Sequence, residues 1–269
     1  MNRAVFAFSI RRSIRSSLLI AVGVGLFYWV VLLASSSFLG DGTEPLPSFL
    51  TEPPRVMKAF IGGSANFVSP VGWMASGVLH PIILSLTTMG AFMIATGTGA
   101  TELERGTLDL VLARPVGRVP YVAARGLAGL VMLTLVEAGA VAGTFVAYAT
   151  VPGVDQLVPG RILLMFAGHW LLFAAFSTTC LAIFARASLR SRALGTAIGV
   201  VVGAFFLNFL SLLFDALEWL GYLSPFHYFN AADILNGEPF LGSWAVLAAV
   251  AVAMGALSLR WFASRDLTR

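Results

Sequence analysis

The sequence predicts an all-helical integral membrane protein with six transmembrane helices and both termini in the cytoplasm. Three observations carry this. First, 58% of the 269 residues are apolar and only 11% are charged, against about 25% charged in an average soluble domain. So few charges could not cover a water-soluble surface, and the mean hydropathy is +0.87. Second, long charge-poor stretches recur along the chain, each able to hold the about 20 apolar residues that a membrane helix needs. They are continuously apolar and do not alternate, so helices are preferred over a barrel. Third, the basic residues cluster in alternate loops. With the N-terminus inside, fourteen of the seventeen Lys and Arg lie on the cytoplasmic side, and only Arg55, Lys58 and Arg161 lie outside.

The elements follow in order. Residues 1–15 place Phe6, Ile10 and Ile14 four apart between arginines, the pattern of a short amphipathic helix on the cytoplasmic membrane surface. The first span, 16–40, is too long for the apolar core of a signal peptide and holds Phe27, Tyr28 and Trp29 at its middle, so it reads as an uncleaved anchor. An outer loop rich in Pro and Gly occupies 41–80, where Pro70, Gly72 and Pro81 interrupt the apolar run. The second span is 81–100 and the third 126–150, followed by a short turn around Pro152, Gly153, Pro159 and Gly160. The fourth span is 162–185 and the fifth 193–214. A second long outer loop, 215–240, carries Trp219, Tyr222, Phe226, Tyr228 and Phe229, residues suited to the membrane–water interface. The sixth span is 241–259. The chain shows no internal repeat of the kind found in many secondary transporters.

The cytoplasmic segment 101–118 is long and patterned. Leu103, Thr107, Leu110, Val111 and Arg114 recur at helical spacing, and Arg105 can pair with Glu102 and Asp109 on the opposite face. Pro115 and Gly117 stop the helix. A plain connector between spans needs only a few polar residues, so this segment reads as a short amphipathic helix presented to a partner.

Glu104-Arg105-Gly106-Thr107-Leu108, followed by Ala113-Arg114-Pro115-Val116-Gly117-Arg118, resembles the signature of ABC-2-type transporter permeases. Leu223-Ser224-Pro225-Phe226-His227-Tyr228-Phe229 before the last span is a second similar feature. The shape of the first motif is most similar to permeases of the group that includes the nitrous-oxide-reductase maturation transporter. In one departure, the basic residue expected after Pro-x-x-Arg is matched only by the spacing of Arg125. The resemblance implies a permease dimer, homomeric or heteromeric, with two copies of a separate ABC ATPase that bind ATP and Mg, in a prokaryotic inner membrane. It implies that Glu102, Glu104, Arg105, Gly106, Thr107, Leu108, Arg114, Pro115 and Arg118 form the ATPase-coupling region. Independently, the single lysine, Lys58, stands before Ala59 on the expected outer side, so this chain carries no Gly-x-x-x-x-Gly-Lys-Ser/Thr nucleotide loop.

Other residues suggest further roles. Gly195, Gly199 and Gly203 are four apart on the fifth span and allow close approach of another membrane helix, a candidate dimer interface. Glu137 stands inside the third span, where an unpaired charge costs about 2.5–3.5 kcal/mol. With His169 and Asn208 at similar depth it forms a candidate translocation pathway. Met89 and Met93 read as packing residues. His80, His169 and His227 are isolated, Cys180 is the one cysteine, and Ser177 lacks a Gly-x-Ser-x-Gly setting, so no metal site, catalytic residue or cofactor is expected on this chain. Nothing points to nucleic acid. The expected activity is export of an amphipathic, drug-like or lipid-like compound. The alternatives are a proton-coupled carrier built on Glu137, and a permease serving metal or sulfur cofactor maturation.

Overall fold

The computed structural model describes residues 2–40, 48–60, 62, 67–95 and 117–265. Among them every regular element is a helix. In chain order these are α1 (Arg3–Leu39), α2 (Ser48–Thr51), α3 (Arg55–Phe60), α4 (Pro70–Val78), α5 (Pro81–Ala95), α6 (Arg118–Thr150), α7 (Pro159–Arg186) and α8 (Arg190–Leu213). Two 3₁₀ segments, Asp215–Leu223 and Pro225–Tyr228, then lead to α9 (Ala231–Asn236) and α10 (Leu241–Ala263). Five of these helices are long and apolar enough to cross a membrane, and α4 with Pro81–Gly90 of α5, bent by 44°, brings the number to six if the pair is one span.

Residues 1–15 and 16–40, read from the sequence as a surface helix followed by a span, run as the single unbroken helix α1. No proline and no glycine interrupts it before Gly23. Its N-terminus is capped by Asn2, whose Oδ1 accepts from the backbone N–H groups of Ala4 and Val5 at 3.1 and 3.2 Å. At 37 residues, and about 1.5 Å per residue, α1 is longer than the hydrocarbon core is thick. Its outward face carries Leu19, Val22, Leu26 and Val30, all exposed, as lipid contact requires.

The expected loop 41–80 is corrected, because its described residues hold α2, α3 and α4. Pro70 does not break the chain here. It lies in the first turn of α4, where its missing N–H costs nothing, and the Ser69 Oγ caps the helix by accepting from Gly72 N at 3.2 Å. Pro81 causes the bend, since the residue before a proline is pushed out of helical geometry.

The expected loop 215–240 is likewise folded. Ser224 is fully buried, donates its hydroxyl to the Ala204 carbonyl at 2.7 Å and accepts from Phe226 N at 3.2 Å. That pins the segment back onto α8. Phe226 then packs against Phe176 of α7, ring centroids 5.0 Å apart. Asn230 caps α9, and Gly237 ends it at φ +88°, a left-handed position that glycine tolerates.

The long helices run alternately up and down, with α1 and α6 parallel and packed most closely. One end of the bundle holds both termini of the described chain. There Arg118 donates to the carbonyls of Ala263 and Arg265 at 3.3 and 2.8 Å, and Arg265 donates to Ala185 O at 3.1 Å. These arginines satisfy carbonyls left open at the C-terminal ends of α10 and α7. The other end carries the folded 215–240 segment and is called the loop end below.

Candidate functional site

The α1–α6 contact is built on small residues. A Cβ on Gly25 would meet the Gly139 carbonyl oxygen at 2.6 Å. Cβ atoms on Gly139 or Gly143 would fall inside the backbone of Ala21 and Gly25, respectively. The two backbones therefore touch, an approach that only glycine permits. The spacing of Ala21 with Gly25, and of Gly139 with Gly143, was a signal available in the sequence but not singled out there.

The opposite side of α6 faces α7 and buries a Glu–His pair. His169 Nδ1 lies 2.9 Å from Glu137 Oε1, with the two residues 1% and 6% exposed. Phe173 and Phe229 flank the imidazole at centroid distances of 4.8 and 5.7 Å. Tyr28 of α1 stands edge-on to Phe166, one turn from His169, at 5.0 Å. Glu137 Oε2, His169 Nε2 and the Tyr28 hydroxyl are buried with no hydrogen-bond partner among the described residues. A lone carboxylate here would be expensive. The hydrogen bond to His169 satisfies one carboxyl oxygen and one ring nitrogen inside the bundle.

Asn208 is buried but does not join this pair. It lines a cavity at the loop end, and Phe229 stands between, packed on His169 and lining the same cavity. Depth along the helix placed Asn208 level with Glu137. Helix rotation, which depth does not encode, separates them.

Among the described residues, no heavy atom lies within 4 Å of the position a Cβ would take on Gly195, Gly199 or Gly203. Gly199 and Gly203 border a groove of about 410 Å³ shared with Phe176, Thr179 and Leu207. Of the coupling residues, Glu102, Glu104, Arg105, Gly106, Thr107, Leu108, Arg114 and Pro115 lie outside the described residues. Arg118 is described, and its guanidinium is committed to the end of α10.

A cleft of about 550 Å³ separates α5 from α8. Leu84, Met89 and Phe92 line one wall, Ile198, Val202 and Phe205 the other, and Arg190 stands at the end nearest the termini. Nothing in the sequence signals it, because it depends on two helices standing apart. Among the described residues no group of three or more His, Cys, Asp or Glu is placed to hold a metal ion. At the loop end, burial and the neighbouring Glu238 push the Asp233 carboxyl above its ordinary range, against a smaller opposing effect of its hydrogen bond to Asn230.

Compared with known proteins, the chain matches the family model described as ABC-2 family transporter protein over residues 3–267. No curated protein matches it.

Proposed function

The chain belongs to the ABC-2 transporter family, and on that premise we propose that it is the permease subunit of an exporter of amphipathic compounds. Membership makes it a multi-pass membrane component of an ABC transporter, and it implies an ABC ATPase as partner. In the reading offered here, two permeases and two ATPases form the complex. The termini face the cytoplasm of a prokaryotic cell, and residues 101–118 dock on the ATPase.

The observation that carries the cargo class is the cleft between α5 and α8. Its walls are apolar and aromatic along most of their length, with one guanidinium at the end. An apolar body fits the walls. The Gly195–Gly199–Gly203 face of α8 is left free for a second permease.

The buried Glu137–His169 pair favours a second reading, a proton-coupled carrier. One experiment separates the two. The tagged chain is purified from its native membrane in mild detergent, and its companions are identified. The permease reading expects a stoichiometric Walker-type ATPase that is lost when charge is reversed at Glu104 and Arg105. A chain recovered alone, with transport surviving ATP depletion and failing in Glu137→Gln, supports the carrier instead.

A further inference from the structure

The loop end holds a second cavity, of about 320 Å³, chemically unlike the α5–α8 cleft. Five aromatic residues line it: Phe226, Tyr228, Phe229, Phe240 and Trp244. Phe240 and Trp244 stand together, with ring centroids 4.5 Å apart. Asp233 is the one carboxylate in its described lining, and no Lys or Arg stands there. The Trp244 Nε1 is buried against Gly168 of α7, so this residue offers the cavity its ring and not its N–H. Asn208, 7% exposed, also lines the cavity.

We propose that this cavity is a binding site for a small organic ammonium ion that carries an oxygen acceptor, of the choline or ethanolamine type. Aromatic faces attract an alkylated cation whose hydration is weak, and a single carboxylate fixes its charge. Asp233 is already partly desolvated and lacks a cationic side chain in the cavity. A cationic ligand supplies the missing counter-charge. The Asn208 amide, which lines the same cavity, is placed to donate to the ligand's oxygen. An anionic ligand would face Asp233 with no basic partner other than His227. The same chemistry is offered by a free amine and by a zwitterionic lipid headgroup. The site is independent of what the α5–α8 cleft carries.

The test is isothermal titration of choline chloride into the full chain, with whatever ATPase accompanies it, in a detergent without an ammonium group. Saturable binding is expected, weakened about tenfold in Asp233→Asn. Trp244→Phe, which keeps the apolar body of the ring, should weaken it several-fold, and this variant carries the test if Asp233→Asn does not fold. Nanodiscs distinguish the sources. Binding of free choline in phosphatidylglycerol discs but not in phosphatidylcholine discs assigns the site to a lipid headgroup, whereas equal binding in both assigns it to a free amine. No saturable binding in detergent or in either disc, or undiminished affinity in both variants, overturns the proposal.

Discussion

α6 and α8 both carry glycines four residues apart, and the molecule uses them in opposite ways. On α6, Gly139 and Gly143 are filled from within the chain, and α1 lies on them with its backbone in contact. On α8, Gly195, Gly199 and Gly203 look into open space. Apolar surface gains little by leaving lipid, so membrane helices associate through close packing. The α6 stripe has found its packing partner inside the chain. The α8 stripe has not, and in the proposed complex that partner is a second permease.

Four perturbations sharpen or break this contrast. The largest effect is expected at Gly143→Leu. Its side chain would overlap the backbone of Gly25, which cannot rotate away, so the cost should exceed about 4 kcal/mol. Little folded chain should survive extraction, judged by size-exclusion chromatography and thermal midpoint. A stable Gly143→Leu chain would mean that the α1–α6 seam is looser than described.

His169→Ala comes next. It strands Glu137 on the buried face of α6, and losing one partner of a buried pair costs about 3–5 kcal/mol. Adding Glu137→Gln should recover part of that loss, because an amide tolerates burial better than an unpaired carboxylate. By contrast, Asn208→Ala on α8 should leave the thermal midpoint nearly unchanged, since its side chain borders the loop-end cavity and not the Glu137–His169 pair. A midpoint that falls equally for both would place Asn208 in the pair's network after all.

Gly199→Leu should alter stability by no more than about 0.5 kcal/mol, as expected of a substitution into open space. It should nevertheless separate the permeases, measured by mass photometry in detergent. An undisturbed dimer would move the interface elsewhere on the chain.

The smallest effect concerns Asp233. Its carboxyl is held above the ordinary range by burial, and Glu238 adds to this. For an acid with a raised folded pKa, the associated stability is present at low pH and is lost as pH rises through that pKa. The midpoint difference between the parent chain and Asp233→Asn should therefore shift against the parent between acidic and neutral pH. A flat difference would show that the carboxyl is solvated.

Much of the architecture was legible in the sequence because lipid imposes length and apolarity on each span. The expected 162–185 and 241–259 fall within α7 and α10, which run three and four residues further at one end. The reading failed where prolines were taken as breaks. Pro70 starts a helix, and only Pro81 bends one. It also failed at 215–240, where Ser224 and Asn230 organise a fold through caps that leave little periodic signal. Of the candidate pathway, Glu137 and His169 meet and Asn208 does not. Depth is readable from position in a span, but rotation about the helix axis is set by packing. The α5–α8 cleft was illegible for the same reason: a gap has no residue pattern of its own.

The most direct test of the whole account is native mass spectrometry of the tagged chain released from its own membrane. The account predicts a complex of two permeases and two ATPases that falls to single permeases in Gly199→Leu. A single chain with no ATPase bound, in the parent and the variant alike, would contradict it.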